Sequence, residues 1–440
     1  MFAMLREMNG VVKAAAAVSL LGLSIWGGSV FMTISKAADY SGKICDHNWW
    51  QTVSRDAFAD VPLDRLDVNQ ICEYGDTPLG IAVTYEKPYA VRALLAAGAD
   101  VNKVLYDNAS ALMYAAETEN FSSQIVDVLL EAGADALMRR KDGKTALVIA
   151  IEQLGFGVDQ NVSDKFRKAR KALGLDQNQS FEIVQALLDA GSDPNVRFGT
   201  NGSTPLDFAI FKNRKDVVAA LIDAGADVNA KPTGANDPPL LNNLAIREAN
   251  DDLIALLISA GADVNARDAD GDSPLMEAAS EDRASVVKLL LDAGAQVDLQ
   301  DEHDRSALIL AASRASSEVV SLLADAGADL EMKDGNGFTA FLHAAYDGKV
   351  ENMRLLAGLG ADIDAGDNWG RTALILAASF GRYPDAVLAL LDLGVDASTR
   401  TDDGDNALDV ALKSRNYRDD EIQLSDAVLA ELKRAVHSGR

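Results

Sequence analysis

Cysteine is almost missing from this 440-residue chain, which carries only Cys45 and Cys72. So few thiols exclude a cysteine-built zinc module, and His47, the one histidine near them, does not complete four ligands. Histidine is equally sparse: His47, His303, His343 and His437 are the full set, and no two stand at metal-ligand spacing. There is no Gly-x-Ser-x-Gly, no His-Glu-x-x-His and no phosphate-cradling glycine loop followed by Lys-Ser or Lys-Thr. The chain therefore offers no catalytic constellation, and no enzyme activity, cofactor or metal is expected. Aromatic residues make up only 6%, which excludes a core built on rings and leaves Ala and Leu to pack thin helical layers. Positive charge is also short, with 41 Lys and Arg against 67 Asp and Glu and a net charge of −26. Such a surface opposes nucleic acid and anionic lipid. The partner it suits is another protein with a basic face, met by a monomer.

Long apolar runs are rare too. One stands out, Ala14 to Ile34, behind Arg6 and Lys13. Its length is just enough to span a bilayer, and Ser35 and Ala37 sit at the −3 and −1 places of a cleavage site. Residues 1–37 read either as a cleaved signal peptide or as an N-terminal membrane anchor. Both place the remainder in the periplasm or on the extracytoplasmic side of a membrane. Any contact with the membrane is expected only through residues 14–34, if they are retained. Residues 38–75 read as an N-terminal cap. In an oxidising compartment a Cys45–Cys72 bond would close a 27-residue separation and stabilise the cap by about 3–4 kcal/mol. The alternative is two unrelated buried thiols. The pair Trp49-Trp50 suits this cap's own small core.

Against these absences one phrase is abundant. Ala220-Leu-Ile-Asp-Ala-Gly-Ala-Asp-Val-Asn-Ala230 returns almost unchanged as Ala255 to Ala266, and its glycine falls at Gly98, Gly133, Gly191, Gly225, Gly261, Gly294, Gly327, Gly360 and Gly394. The intervals are 33 to 36 residues, except for one of 58 between Gly133 and Gly191. A fixed period of this size marks one supersecondary unit copied in a row, each copy burying its apolar face against a neighbour. Each unit opens on an Asp-, Gly- and Asn-rich turn. A first helix follows at a triplet such as Thr77-Pro-Leu79, Thr204-Pro-Leu206, Ser273-Pro-Leu275 or Thr339-Ala-Phe341. Thr and Ser suit an N-cap, and Pro suits the first helical position, where its missing N–H has no partner to lose. A second helix carries an apolar stripe, as in Val286, Val287, Leu289 and Leu290, and stops at the glycine, which accepts a left-handed conformation.

These residues resemble the ankyrin repeat over roughly 365 residues from about Asp76. The resemblance implies an all-α ankyrin-repeat solenoid of helix-turn-helix units with β-turn fingers, about nine to ten repeats including caps, over residues 76–440. The histidine that commonly follows Pro-Leu in the family is absent here, its places held by Gly80, Met113, Val148, Asp207, Met276, Ile309, Leu342 and Ile375. Since that histidine helps bind the turn, less rigid turns are expected. The unit at Asp237-Pro-Pro-Leu-Leu241 lacks the triplet, so its first helix is expected to start late. The long interval places an insertion at about 154–180, whose run Lys165-Phe-Arg-Lys-Ala-Arg-Lys171 is either the solvated face of a longer hairpin or a docking arm. A closing cap is expected from about 401.

Asp268-Ala-Asp-Gly-Asp272 alternates carboxylates as a calcium loop does, but its glycine comes fourth instead of sixth and no Glu follows at the twelfth place. Asp also begins the turns at Asp301, Asp334 and Asp367, where it serves local turn hydrogen bonding. In the family, partners are gripped by turn tips and by exposed positions of the first helices. Those places hold Phe338, His343, Tyr346, Trp369, Arg371 and Phe380, with Phe208 and Phe211 as a second group. Trp, Tyr and Arg are the residues that most often anchor interfaces, while rings such as Phe380 also fill gaps between layers. The function expected is a non-enzymatic, exported scaffold binding a partner protein on its concave face and turn tips. The alternatives are an immunity or inhibitor protein, a helper for a periplasmic enzyme, and calcium-dependent surface adhesion.

Overall fold

The computed structural model describes residues 40–117, 123–154, 177–230, 238–246, 251–380, 382–417 and 424–438. The expected signal or anchor at 1–37 lies outside these residues, as do the basic run 165–171 and most of the insertion at 154–180. Among the described residues no helix is long and apolar enough to cross a membrane. Their regular structure is helical, with isolated bridges at Phe198–Ser203 and Gly366–Thr372.

The chain divides after Ala226 into two compact units. The first opens with two short helices, α1 (His47–Thr52) and α2 (Arg55–Ala59), and continues in pairs: α3 (Pro78–Thr84) with α4 (Pro88–Ala96), α5 (Ala111–Glu117) with α6 (Ser123–Glu131), α7 (Ala146–Gln153) with α8 (Gln177–Asp189), and α9 (Pro205–Phe211) with α10 (Lys215–Asp223). The second holds α11 (Leu240–Ile246) with α12 (Asp251–Ser259), α13 (Pro274–Ser280) with α14 (Ala284–Asp292), and α15 (Ala307–Arg314) with α16 (Ser317–Asp325). It ends in α17 (Ala340–Tyr346) with α18 (Val350–Gly358), α19 (Ala373–Phe380) with α20 (Pro384–Leu393), and α21 (Ala407–Tyr417) with α22 (Asp426–Ser438). Within each unit first helices pack on first helices and second on second.

Local chemistry sets these boundaries. Thr77 Oγ1 accepts from Gly80 N at 3.1 Å, and Thr204 forms a reciprocal capping box with Asp207. Each such cap satisfies a backbone donor that the first turn leaves open. The second helices stop where Gly294, for example, takes φ of 87° and the N–H of Ala295 folds back to the Leu290 carbonyl at 3.0 Å. The alanine pairs Ala278-Ala279, Ala311-Ala312 and Ala344-Ala345 are wholly buried, so layers approach at the distance a methyl group allows. The asparagine of the repeated phrase joins one copy to the next. Asn229 Nδ2 donates to the Gly261 carbonyl at 2.9 Å, while its Oδ1 accepts from Asp263 N at 2.8 Å.

Two expectations need amendment. The helix after Asp237-Pro-Pro is not late: α11 begins at Leu240, 21 residues before its glycine, where α13 begins 20 before its own. Leu241 and Leu244 are buried as in any other copy, so packing overrides the missing cap. Three turns of the second unit, moreover, carry side-chain hydrogen bonds that do not involve the family's histidine, as described below. At the N-terminal end Cys45 and Cys72 are disulfide-bonded with Cα atoms 5.2 Å apart. Beside them Trp50 is fully buried with Ile44 and Phe58, its Nε1 donating to the Ile44 carbonyl. Trp49 is half-buried against Trp50. Tyr89 of α4 donates to the Val53 carbonyl at 2.9 Å and fastens this small core to the first helix pair.

Candidate functional site

Three turns of the second unit are built on buried aspartates. Asp301 Oδ1 accepts from the backbone N–H of His303 and of Arg305, both at 2.8 Å, and Asp334 and Asp367 repeat the pattern at Asn336 and Phe338 and at Trp369 and Arg371. A short carboxylate thus organises two backbone donors within one turn. The second oxygen is met by a cation or a ring: Arg305 Nε at 2.6 Å from Asp301, His343 Nε2 at 2.9 Å from Asp334, and Arg371 Nε at 2.6 Å from Asp367. Adjacent turns are laced together, with Gly335 N donating to the His303 carbonyl and Asn368 N to that of Asn336. These bonds tie three turns in copies that lack the family's histidine.

Between these turns and helices α15 and α17 lies a cleft of about 690 Å³. Arg371 lines it, with the guanidinium 4.7 Å from the Trp369 ring centre and 5.7 Å from that of Phe338. A cation over an aromatic face is attracted to it, and a planar guanidinium can also stack. Phe338 meets His343 and Tyr346 edge-on at 5.1 and 6.0 Å. Arg305, Ile309, Arg314, Asp347, Lys349 and Tyr383 complete the walls. Tyr383 comes so close to Gly348, which has φ of 68°, that a Cβ there would strike its ring.

The chain's sequence matches the model of Ankyrin repeats (3 copies) at residues 79–159, 152–232, 243–334, 308–401 and 341–420. It belongs to the ankyrin repeat family. A comparison with curated proteins finds no match.

The ankyrin turns and helices bring Phe338, His343, Tyr346, Trp369 and Arg371 to one place. Trp369 and Tyr346 are open to solvent at 49% and 39% of their surface. Phe338, expected to be exposed, is buried at 8%, with His343, Tyr346 and Arg371 lying against its ring. The side chain of Phe380 lies outside the described residues. Phe208 and Phe211 belong to the first unit and do not make a second exposed pair. Phe208 packs on Phe198, 5.1 Å between ring centres, over a small core of Val148 and Val196, while Phe211 is exposed. Sequence reasoning missed the cations Arg305, Arg314 and Lys349 on the cleft. Arg305 was detectable, since it stands four residues after its aspartate as Arg371 does.

One ankyrin turn departs from this pattern. Asp268 Oδ1 accepts from Asp270 N at 3.0 Å and Asp272 N at 2.8 Å, but the residue four places on is Asp272, not an arginine. Asp272 and Glu277 bring their carboxylates to Asp268, with one oxygen from each of the three lying within 4.8 Å of the others. Burial raises the Asp272 carboxyl to about 6, with the neighbouring Asp301 and Asp268 charges adding to the effect. Burial also raises Glu277, to about 7, helped by Asp272 and by a hydrogen bond with Asp268. These are the residues that could share a proton or hold a hard cation.

Proposed function

We propose that this ankyrin repeat protein is a non-enzymatic scaffold that works outside the cytoplasm and grips a segment of another protein in the cleft around Arg371. The observation that carries the reading is an arginine set over the exposed Trp369 ring and near buried Phe338, with exposed Tyr346 on the same cleft, Trp, Tyr and Arg being the residue types that anchor interfaces. The cleft's volume is of the size that holds a few side chains. A complete interface would extend over the neighbouring turns to about 1,200–2,000 Å². The chain's net charge of −26 favours approach by a protein with a basic face. Export is supported by the apolar run 14–34 behind Arg6 and Lys13 and by the Cys45–Cys72 bond, which persists in oxidising compartments.

Cross-linking in intact cells followed by affinity isolation from the envelope fraction tests the reading. A partner recovered with wild type and lost with Trp369→Ala/Tyr346→Ala supports it, and one retained equally by that variant removes the cleft from the function. In the same cells Cys45 and Cys72 should resist maleimide until reduced; labelling without a reductant, in a cytosolic fraction, would sink the assignment of place. An immunity protein, or a helper to an enzyme, would use the same cleft, and the identity of the recovered partner separates them. Calcium-dependent adhesion is the reading favoured by the carboxylates at Asp268, Asp272 and Glu277. It requires a melting temperature that moves with Ca²⁺ and with chelator.

A further inference from the structure

We infer that the segment gripped by this cleft carries an acidic side chain, and that the cleft is a carboxylate-reading site in a protein whose overall charge is strongly negative. The inference rests on the reading of the cleft as a protein-binding site and adds the chemistry of its occupant. The first observation is that Asp334, one of the two acids on the cleft, is already engaged. Asp334 accepts from two backbone N–H groups and from His343. Asp347, the other, is half-buried, and burial raises its carboxyl against the smaller opposing pull of His343, Lys349, Arg314 and Arg382.

The cations that line the cleft, by contrast, retain donors with no hydrogen bond among the described residues. Arg305 and Arg371 each commit Nε to a buried aspartate, and among the described residues their Nη atoms make no hydrogen bond. The pairing fixes each guanidinium plane and leaves the Nη edge available in a fork, the geometry that meets a carboxylate with two parallel bonds. The Trp369 and Phe338 rings also lie against the Arg371 guanidinium, with centres 4.7 and 5.7 Å from it. Arg314 uses one Nη on Ser280 and adds a further cation, as does Lys349. A neutral segment would leave these donors unmatched when it excluded water, and a basic one would meet like charge. An acidic side chain satisfies them, with an apolar neighbour lying on Trp369 and Tyr346.

The experiment is selection of a displayed random dodecapeptide library on the full chain, followed by affinity measurements with the recovered peptides. Three variants are compared. Asp367→Asn/Arg371→Gln removes the arginine together with its buried partner. Arg314→Glu/Lys349→Glu reverses two wall charges without touching a buried pair, so it remains informative if the first variant melts early. Trp369→Ala/Tyr346→Ala empties the aromatic anchor. The expected result is peptides sharing an Asp or Glu at a fixed position. Their affinity should fall at least tenfold with Asp367→Asn/Arg371→Gln, or when that acid becomes Asn or Gln, and severalfold with Arg314→Glu/Lys349→Glu. Peptides that require Trp369 and Tyr346 yet carry no acid, or that bind the charge variants as well as wild type, overturn this inference and leave the binding cleft standing. Recovery no better than from Trp369→Ala/Tyr346→Ala overturns both.

Discussion

The turns at Asp367 and Asp268 share a backbone and differ in their charge. In both, one carboxylate oxygen accepts from the N–H groups two and four residues ahead, at 2.9 and 2.8 Å in one and at 3.0 and 2.8 Å in the other. At Asp367 the residue four ahead is Arg371, whose side chain returns to the free oxygen. At Asp268 it is Asp272, and Glu277 adds a third carboxylate. The ankyrin framework therefore does not need the arginine in order to form its turn. What sits four places on is available for other chemistry: at Arg371 a fixed guanidinium on the cleft, at Asp272 a concentration of negative charge that raises proton affinity.

The largest effect should come from taking away the aspartates themselves. Asp367→Ala leaves two turn N–H groups and a guanidinium without their acceptor, and is expected to cost about 3 kcal/mol. Asp268→Ala loses the same two backbone bonds but relieves repulsion with Asp272 and Glu277, so its cost should be about 1 kcal/mol. Urea unfolding of the two variants measures the difference; equal losses would mean that the charges at the second turn are immaterial. Next in size, Asp272→Arg rebuilds at Asp268 the partner that Asp367 has. It should raise stability at pH 7 by about 2 kcal/mol, through a removed like charge and a gained pair. Destabilisation by this substitution would show that the space around Asp272 is shaped for a short side chain.

How far the sequence announced all this depends on how local the cause is. The N-caps, the left-handed glycines and the buried alanine pairs are short-range necessities, and the repeats displayed them in copy after copy. The cleft was half visible. Trp369 and Arg371 stand two apart in one turn, and Tyr346 and His343 lie three apart on one helix, so each pair could be read separately. That Arg371 reaches Phe338 beside His343 and Tyr346, and that Phe338 is buried instead of exposed, depends on how neighbouring turns stack, which no single copy encodes. Glu277 escaped for a related reason. A calcium-loop count looked for a carboxylate at the twelfth place, whereas the start of α13 returns one to Asp268 from the tenth.

The smallest expected effect is also the most diagnostic of what the acidic turn is for. Asp272 and Glu277 take up protons at about 6 and about 7 in the folded chain. In the unfolded chain both titrate near 4. The native state thus binds more protons than the unfolded state between those limits, and stability falls as pH rises from about 4 to about 7, then levels off. Glu277→Gln holds that position neutral at every pH. Because the group is only partly buried, the gain should be about 1 kcal/mol at pH 8 and nothing at pH 4, read from urea unfolding at the two values. If wild type instead gains stability at pH 8 on adding Ca²⁺, and the variant does not, the cluster is relieved by a cation in place of a proton. If neither pH nor calcium separates the two proteins, water reaches the three carboxylates and the turn at Asp268 is as quiet electrostatically as the turn at Asp367.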